Sequence, residues 1–150
     1  MKLVRLSKSF YSEYGGHKEI LKKEPRPYMC LTVRIDSIEY AIPFRHHFSH
    51  PYGFRTGEEC GLDFTKSVPI LNESFIDYGS SPRIDSAEWN IVKKNENRIN
   101  MQFKKYIKLY KKALADSDNP RYQNILEYSS LQYFNLFEEK TEYSESKEAI

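Results

Sequence analysis

The alternation in "YMCLTVRIDSIEYAIPF", Tyr28 to Phe44, constrains this chain more than any other feature. In its first half Met29, Leu31, Val33 and Ile35 are apolar at odd positions; in its second, Ile38, Tyr40, Ile42 and Phe44 are apolar at even ones. Apolar residues at every second position turn one face of a strand toward a core. A change of parity across Asp36-Ser37 is what an antiparallel hairpin with a two-residue turn requires. With Ile35 facing Ile38, Arg34 meets Glu39, an opposite-charge cross-strand pair. Carried further, the same register sets Tyr28 opposite Arg45 and Arg26 opposite His47, all four on the face turned away from the apolar rows. His46 takes the parity of the core face. Pro43, which has no amide N–H, allows a bulge or an edge position there.

The remaining segments complete a fold class. "KLVRL" reads as a short first strand, and "SKSFYSEY" as a short helix with Ser7 or Ser9 at its N-cap, stopping at Gly15-Gly16. "GLDFTKSVPILNESFIDYG" reads as more strand, interrupted by Pro69. From about Asp85 the period becomes helical: Ile99, Phe103, Tyr106, Tyr110 and Leu114 recur at three and four, the stripe a helix buries. "PRYQNILEYSSLQYFNLF" is a further helical segment with Pro120 near its start. Sheet first and helices after predicts an α+β domain over residues 1–137.

A chain of 150 residues, 39% hydrophobic and 15% aromatic, can bury a core as one domain. No window approaches the roughly 18 apolar residues of a membrane span. The segment "MKLVRLSKSFYSEYGG" lacks the apolar run of a secretory signal, and Cys30 and Cys60 make no disulfide framework. A soluble cytoplasmic protein, without membrane association, is therefore expected. The net charge of +2 hides an asymmetry: Lys93 to Lys112 carries eight Lys or Arg against one acid, whereas "EEKTEYSESKEAI" carries five glutamates against two lysines. The basic block suits a polyanionic partner, although a solvated helix face has the same composition. The acidic stretch 138–150 reads as a frayed tail.

Immediately after the hairpin, Arg45 to His50 gathers one arginine and three of the four histidines. Three readings compete. For zinc, His46 and His47 diverge on a strand, and no second Cys or His pair stands nearby at ligand spacing. For a structural role, one histidine is buried and the others solvated, which suits His46 and, in its charged loop, His17. For metal-free RNA cleavage, the ribose 2′-OH is the nucleophile. Histidines can take its proton and protonate the leaving 5′-oxygen, because an unperturbed pKa near 6.5 keeps both forms accessible. Arginine matches two phosphate oxygens and keeps its charge. Tyr28 beside such a site offers a face on which a base can stack, and Tyr11 and Tyr14 are further candidates.

Over "RPYMCLTVRIDSIEYAIPFRHHFSHPYGF" and "CGLDFTKSVPI" the sequence resembles the endoribonuclease toxins of type III toxin–antitoxin systems, the ToxN, AbiQ and TenpN group, and within it the TenpN branch. The likeness spans roughly residues 26 to 76 and extends more loosely through the basic helix and "PRYQNILEYSSLQYF". It implies a compact fold with a highly twisted, SH3-like antiparallel sheet, a long basic helix and a further C-terminal helix packed on it. It implies sequence-selective cleavage without metal or other cofactor, leaving 2′,3′-cyclic phosphate and 5′-hydroxyl ends on single-stranded RNA. The implied partner is a small repeated pseudoknot antitoxin RNA, cut from its precursor by the toxin and assembled with it into a closed protein–RNA complex, in the service of phage defence. The ToxN branch has a lysine where this chain has Arg26, and Thr, Ser and Lys where it has Arg45, His46 and Phe48, so that branch's Ser/Lys chemistry does not transfer. The expected catalytic set is Arg26, Arg45, His47 and His50, with the two histidines as the acid/base pair. Tyr28, Lys66, Lys93, Lys94, Arg98, Lys104, Lys105 and Lys108 are expected to bind RNA. A non-catalytic RNA-binding module and a zinc-dependent hydrolase are the alternatives.

Overall fold

The computed structural model describes residues 1–23 and 27–137. Arg26 and the acidic stretch 138–150 lie outside the described residues. The fold is α+β: an antiparallel six-stranded sheet and four helices in one domain. The strands are β1 (Leu3–Arg5), β2 (Met29–Ile35), β3 (Ile38–His46), β4 (Gly53–Arg55), β5 (Cys60–Asp63) and β6 (Val68–Pro69). They run in the order β1-β2-β3-β5-β4, with β6 also on β3. The helices are α1 (Lys8–Tyr14), α2 (Ser86–Lys94), α3 (Glu96–Ala115) and α4 (Gln123–Tyr128). Among the described residues no helix is long and apolar enough to cross a membrane.

The β2–β3 hairpin has the expected register, with Ile35 opposite Ile38 and Arg34 opposite Glu39. Asp36 and Ser37 have φ of 48° and 69°, the left-handed pair of a type I′ turn, whose twist suits the flanking strands. The odd-numbered row of β2 and the even-numbered row of β3 face α3. Leu31, Val33, Tyr40 and Ile42 are buried there against Ile99, Phe103, Tyr106 and Tyr110. Tyr40 and Phe103 meet edge to face with ring centroids 5.2 Å apart. Each such fully buried side chain contributes about 1.5–3 kcal/mol, so this stripe fixes where α3 lies.

The other face of the hairpin is covered as well. Cys30, Ala41 and Val68 pack in a second cluster with Leu6, Phe10, Phe75, Ile76 and Phe134. Burial pushes the Cys30 thiol up to about 12, which keeps it neutral. Helix α1 is set into this cluster by Ser7, whose Oγ accepts from the Phe10 amide at 3.3 Å and donates to the Ser74 carbonyl. Ser7→Ala is expected to lower stability by about 1 kcal/mol, read as a shifted urea midpoint. An unchanged midpoint would remove the cap from the account.

Three sequence expectations change. The segment after β5 is not continuous strand: Asp63 and Asn72 each accept from the amide two residues on and start 3-10 turns, Phe64–Lys66 and Glu73–Phe75. Pro69 ends β6 opposite Tyr40 rather than interrupting a longer strand. The basic helical region is two helices broken at Asn95, whose side chain donates to the Ile91 carbonyl, so Lys93 and Lys94 lie in the last turn of α2 and not on the long helix.

Candidate active site

The site is built where β3 changes neighbours. Its ladder with β2 ends at Cys30 opposite Pro43; beyond Pro43 it continues only with β5, placing Arg45 against Gly61 and His46 against Cys60. Proline has no N–H to donate, so the strand is free to part from one neighbour there. The expected Tyr28–Arg45 step therefore does not extend the ladder, and the expected Arg26–His47 step involves a residue outside those described. A Cβ on Gly61 would overlap the Phe54 carbonyl oxygen, so a side chain there would push β4 off β5. His46 is exposed, contrary to its core parity, because parity selects a face and, among the described residues, nothing covers the end of the strand.

His47 ends the strand in a left-handed conformation, φ 60°, while its amide donates to the Glu59 carbonyl at 2.6 Å. The turn drives Phe48 into the interior and brings the chain back at His50. The His50 ring lies between Phe48 and Tyr52, at centroid distances of 5.0 and 6.0 Å. The Arg55 guanidinium stacks on Phe48 at 4.1 Å from the ring centroid and donates to the His50 carbonyl.

At the centre is Asp63, which the sequence did not single out and whose side chain is 0% exposed. Four donors converge on it. Arg45 Nη1 reaches Oδ2 at 2.6 Å, and His50 Nε2 reaches Oδ1 at 3.0 Å. The Thr65 hydroxyl and amide reach Oδ1 at 2.6 and 3.0 Å. Burial alone would raise the Asp63 carboxyl, but the hydrogen bonds from His50, Thr65 and Arg45 hold it below the ordinary carboxylate value. The Tyr52 amide donates to His50 Nδ1 at 3.0 Å. An amide can only donate, so Nδ1 is the lone-pair nitrogen and Nε2 carries the proton toward Asp63. Both ring nitrogens of His50 are thus engaged within the protein.

His47 is placed apart from this hub. Its Nδ1 pairs with Glu59 at 3.2 Å, both side chains about 70% exposed (73% and 70%). Its Nε2 makes no hydrogen bond among the described residues. Arg45 and His50 are therefore brought together through one buried carboxylate, with His47 beside them on its own. Their side chains remain 26% and 30% exposed, enough for a ligand to reach. Among the described residues no three His, Cys, Asp or Glu side chains converge as a metal would need.

The expected RNA-binding residues divide. Lys66 is only 12% exposed and its ammonium is held by the Tyr128 carbonyl at 2.8 Å and Glu19 at 3.4 Å, so it ties the loop before β2 to the end of α4. The Ser130 hydroxyl donates to the Thr65 and Ser67 carbonyls nearby, which gives the "SSLQYF" segment a structural role. Tyr28 is half-buried with the Lys23 ammonium over its ring. Lys93 pairs with Glu96 at 2.7 Å. Lys94, Arg98, Lys104, Lys105 and Lys108 are exposed with no carboxylate in ion-pair reach among the described residues. Of the tyrosines on α1, Tyr11 and Tyr14 pack against the second core cluster.

Compared with known proteins, the chain matches no family model, no curated protein and no solved structure.

Proposed function

We propose that this chain is a cytoplasmic, metal-independent endoribonuclease, the toxin of a type III toxin–antitoxin system. The convergence of Arg45 and His50 on buried Asp63, with exposed Arg and Lys along α3, carries the reading. The resemblance of residues 26–76 to that group supplies the reaction. Arg45 is anchored by one nitrogen to Asp63, and its remaining donors serve a phosphate; anchoring removes the entropy of placing a flexible side chain. Cleavage proceeds by attack of the ribose 2′-oxygen on phosphorus as the P–O5′ bond breaks. The 2′-OH proton goes to the base and a proton reaches the leaving 5′-oxygen, giving 2′,3′-cyclic phosphate and 5′-OH. His47, with a free Nε2, and His50 exchange those protons. His50 does so at Nδ1 once RNA displaces the Tyr52 amide, and Asp63 then holds the ring as a carboxylate holds imidazole in other acid–base sites. The long basic face carries substrate or a repeated antitoxin RNA by phosphate contacts.

A second reading is favoured by one observation: both His50 nitrogens are already engaged, as they would be in a non-catalytic RNA-binding module whose histidine only braces Arg45. The test is purified protein, stripped of RNA, incubated with end-labelled RNA in excess EDTA, with the ends of the products mapped. Discrete fragments bearing 2′,3′-cyclic phosphate are expected. Tight RNA binding without turnover would leave the binding module. Cleavage only after zinc is added would replace the reading with a metal-dependent hydrolase.

A further inference from the structure

A groove of about 460 Å³ opens between β4 and α3, with Tyr52 in its lining. Its volume is in the range of small-ligand sites, about 300–1,000 Å³. Phe64 and Tyr106 close its floor, and half-exposed Tyr52 makes one wall, with its ring centroid 5.9 Å from that of Tyr106. The Tyr106 hydroxyl points inward, donating to Ser129 at 2.9 Å, so the floor presents carbon rather than a polar group. The Tyr52 carbonyl accepts from the Phe64 amide at 3.1 Å, which fixes the wall. Two polar side chains line the groove, both from α3: Gln102, with its amide, and Lys105, with its ammonium. Neither has a hydrogen-bond partner among the described residues.

A flat aromatic wall, an apolar floor, one unpaired amide and one unpaired cation form the set of contacts an unstacked nucleobase uses. The ring stacks on the aromatic face, and the amide, both donor and acceptor, reads a base edge. The cation meets the adjoining phosphate. Tyr52 joins the groove to the hub, since one of its ring faces is toward His50 and its amide is on His50 Nδ1. We propose that the groove seats the unpaired base of a nucleotide next to the phosphate held at Arg45, and that Gln102 selects that base; the inference rests on the ribonuclease reading above.

The test uses the full chain and an RNA pool randomised around a known cut, with the cleaved ends sequenced to give base frequencies at each flanking position. The wild type is expected to prefer one base about tenfold at a position beside the cut, the discrimination one good side-chain–base contact supplies. Gln102→Ala should flatten that position alone, and Gln102→Glu, which keeps an acceptor and loses the donor, should change which base is preferred. The readout is a ratio between sequences and is independent of the total rate; circular dichroism of each variant verifies folding of a surface position on α3. Cutting by the wild type with the same base frequencies in both variants overturns the groove assignment and leaves the ribonuclease reading standing. Equal slowing at every sequence overturns it also, since it would mean that the groove holds something other than a base. Absence of cutting by the wild type removes both.

Discussion

Asp63→Ala is expected to lower stability by about 3 kcal/mol, because it removes a buried carboxylate and leaves its donors without an acceptor. The loss is smaller than for a fully enclosed ion pair, since Arg45 and His50 each retain about a quarter of their exposure (26% and 30%) and can turn to water. The carboxyl is held below its ordinary value of 3.8 in the folded state, so the folded protein binds its proton less readily than the unfolded chain. Stability from this group is therefore fully present above that ordinary value and is lost as the pH falls toward the lowered one. Asp63→Asn has no such titration. Urea midpoints measured from neutral pH down into the acid range should show the two proteins furthest apart at neutrality and converging as acid is added. Parallel curves would mean that Asp63 is not held as a carboxylate by Arg45 and His50.

That Asp63 had to be found in the structure reflects which contacts a sequence encodes locally. The β2–β3 register was legible because opposed residues lie close in sequence and alternation sets which side faces the core. The α3 stripe was legible for the same reason, at a different period. The second core was not: on the other face of the hairpin stand Cys30, Thr32, Ala41 and Pro43, small or weakly polar residues that do not read as an apolar row, yet α1 and the chain around Phe75 and Phe134 cover that face. The Arg45–Asp63 pair depends on β5 lying beside β3, a long-range pairing that no local period specifies. A local signal for Asp63 did exist. In "GLDFTK" an aspartate two residues before a threonine, at the end of a strand, is an Asx turn in waiting, and the turn is what points the carboxylate inward at Thr65. The histidine run was legible as a cluster but not as a division, in which His50 goes to Asp63 and His47 to Glu59, because the left-handed turn at His47 separates them.

Replacement of His47 is expected to reduce RNA cleavage by about 10²–10⁴-fold, the contribution of a positioned acid or base, while RNA affinity stays within about threefold. The substitution that isolates this effect is His47→Asn. With φ at 60°, asparagine is the substitution of choice, since it enters the left-handed region routinely and alanine does not. The side chain is 73% exposed and its pairing with Glu59 is of the weak surface kind, so the fold does not depend on it. His50 cannot be tested as cleanly, because its removal takes a donor from buried Asp63 and mixes lost chemistry with lost stability. Arg45→Ala, compared on the folded fraction because it too takes a donor from Asp63, provides the contrast: cleavage and affinity should fall together, and the slope of log affinity against log salt should flatten by about one phosphate contact. Rates and affinities for the two variants, measured on one RNA at two salt concentrations, separate proton transfer from phosphate grip. Undiminished cleavage by His47→Asn would withdraw His47 from the mechanism. The proton traffic would then fall to His50 alone, which has one nitrogen committed to Asp63 and cannot serve the 2′-hydroxyl and the 5′-oxygen at once.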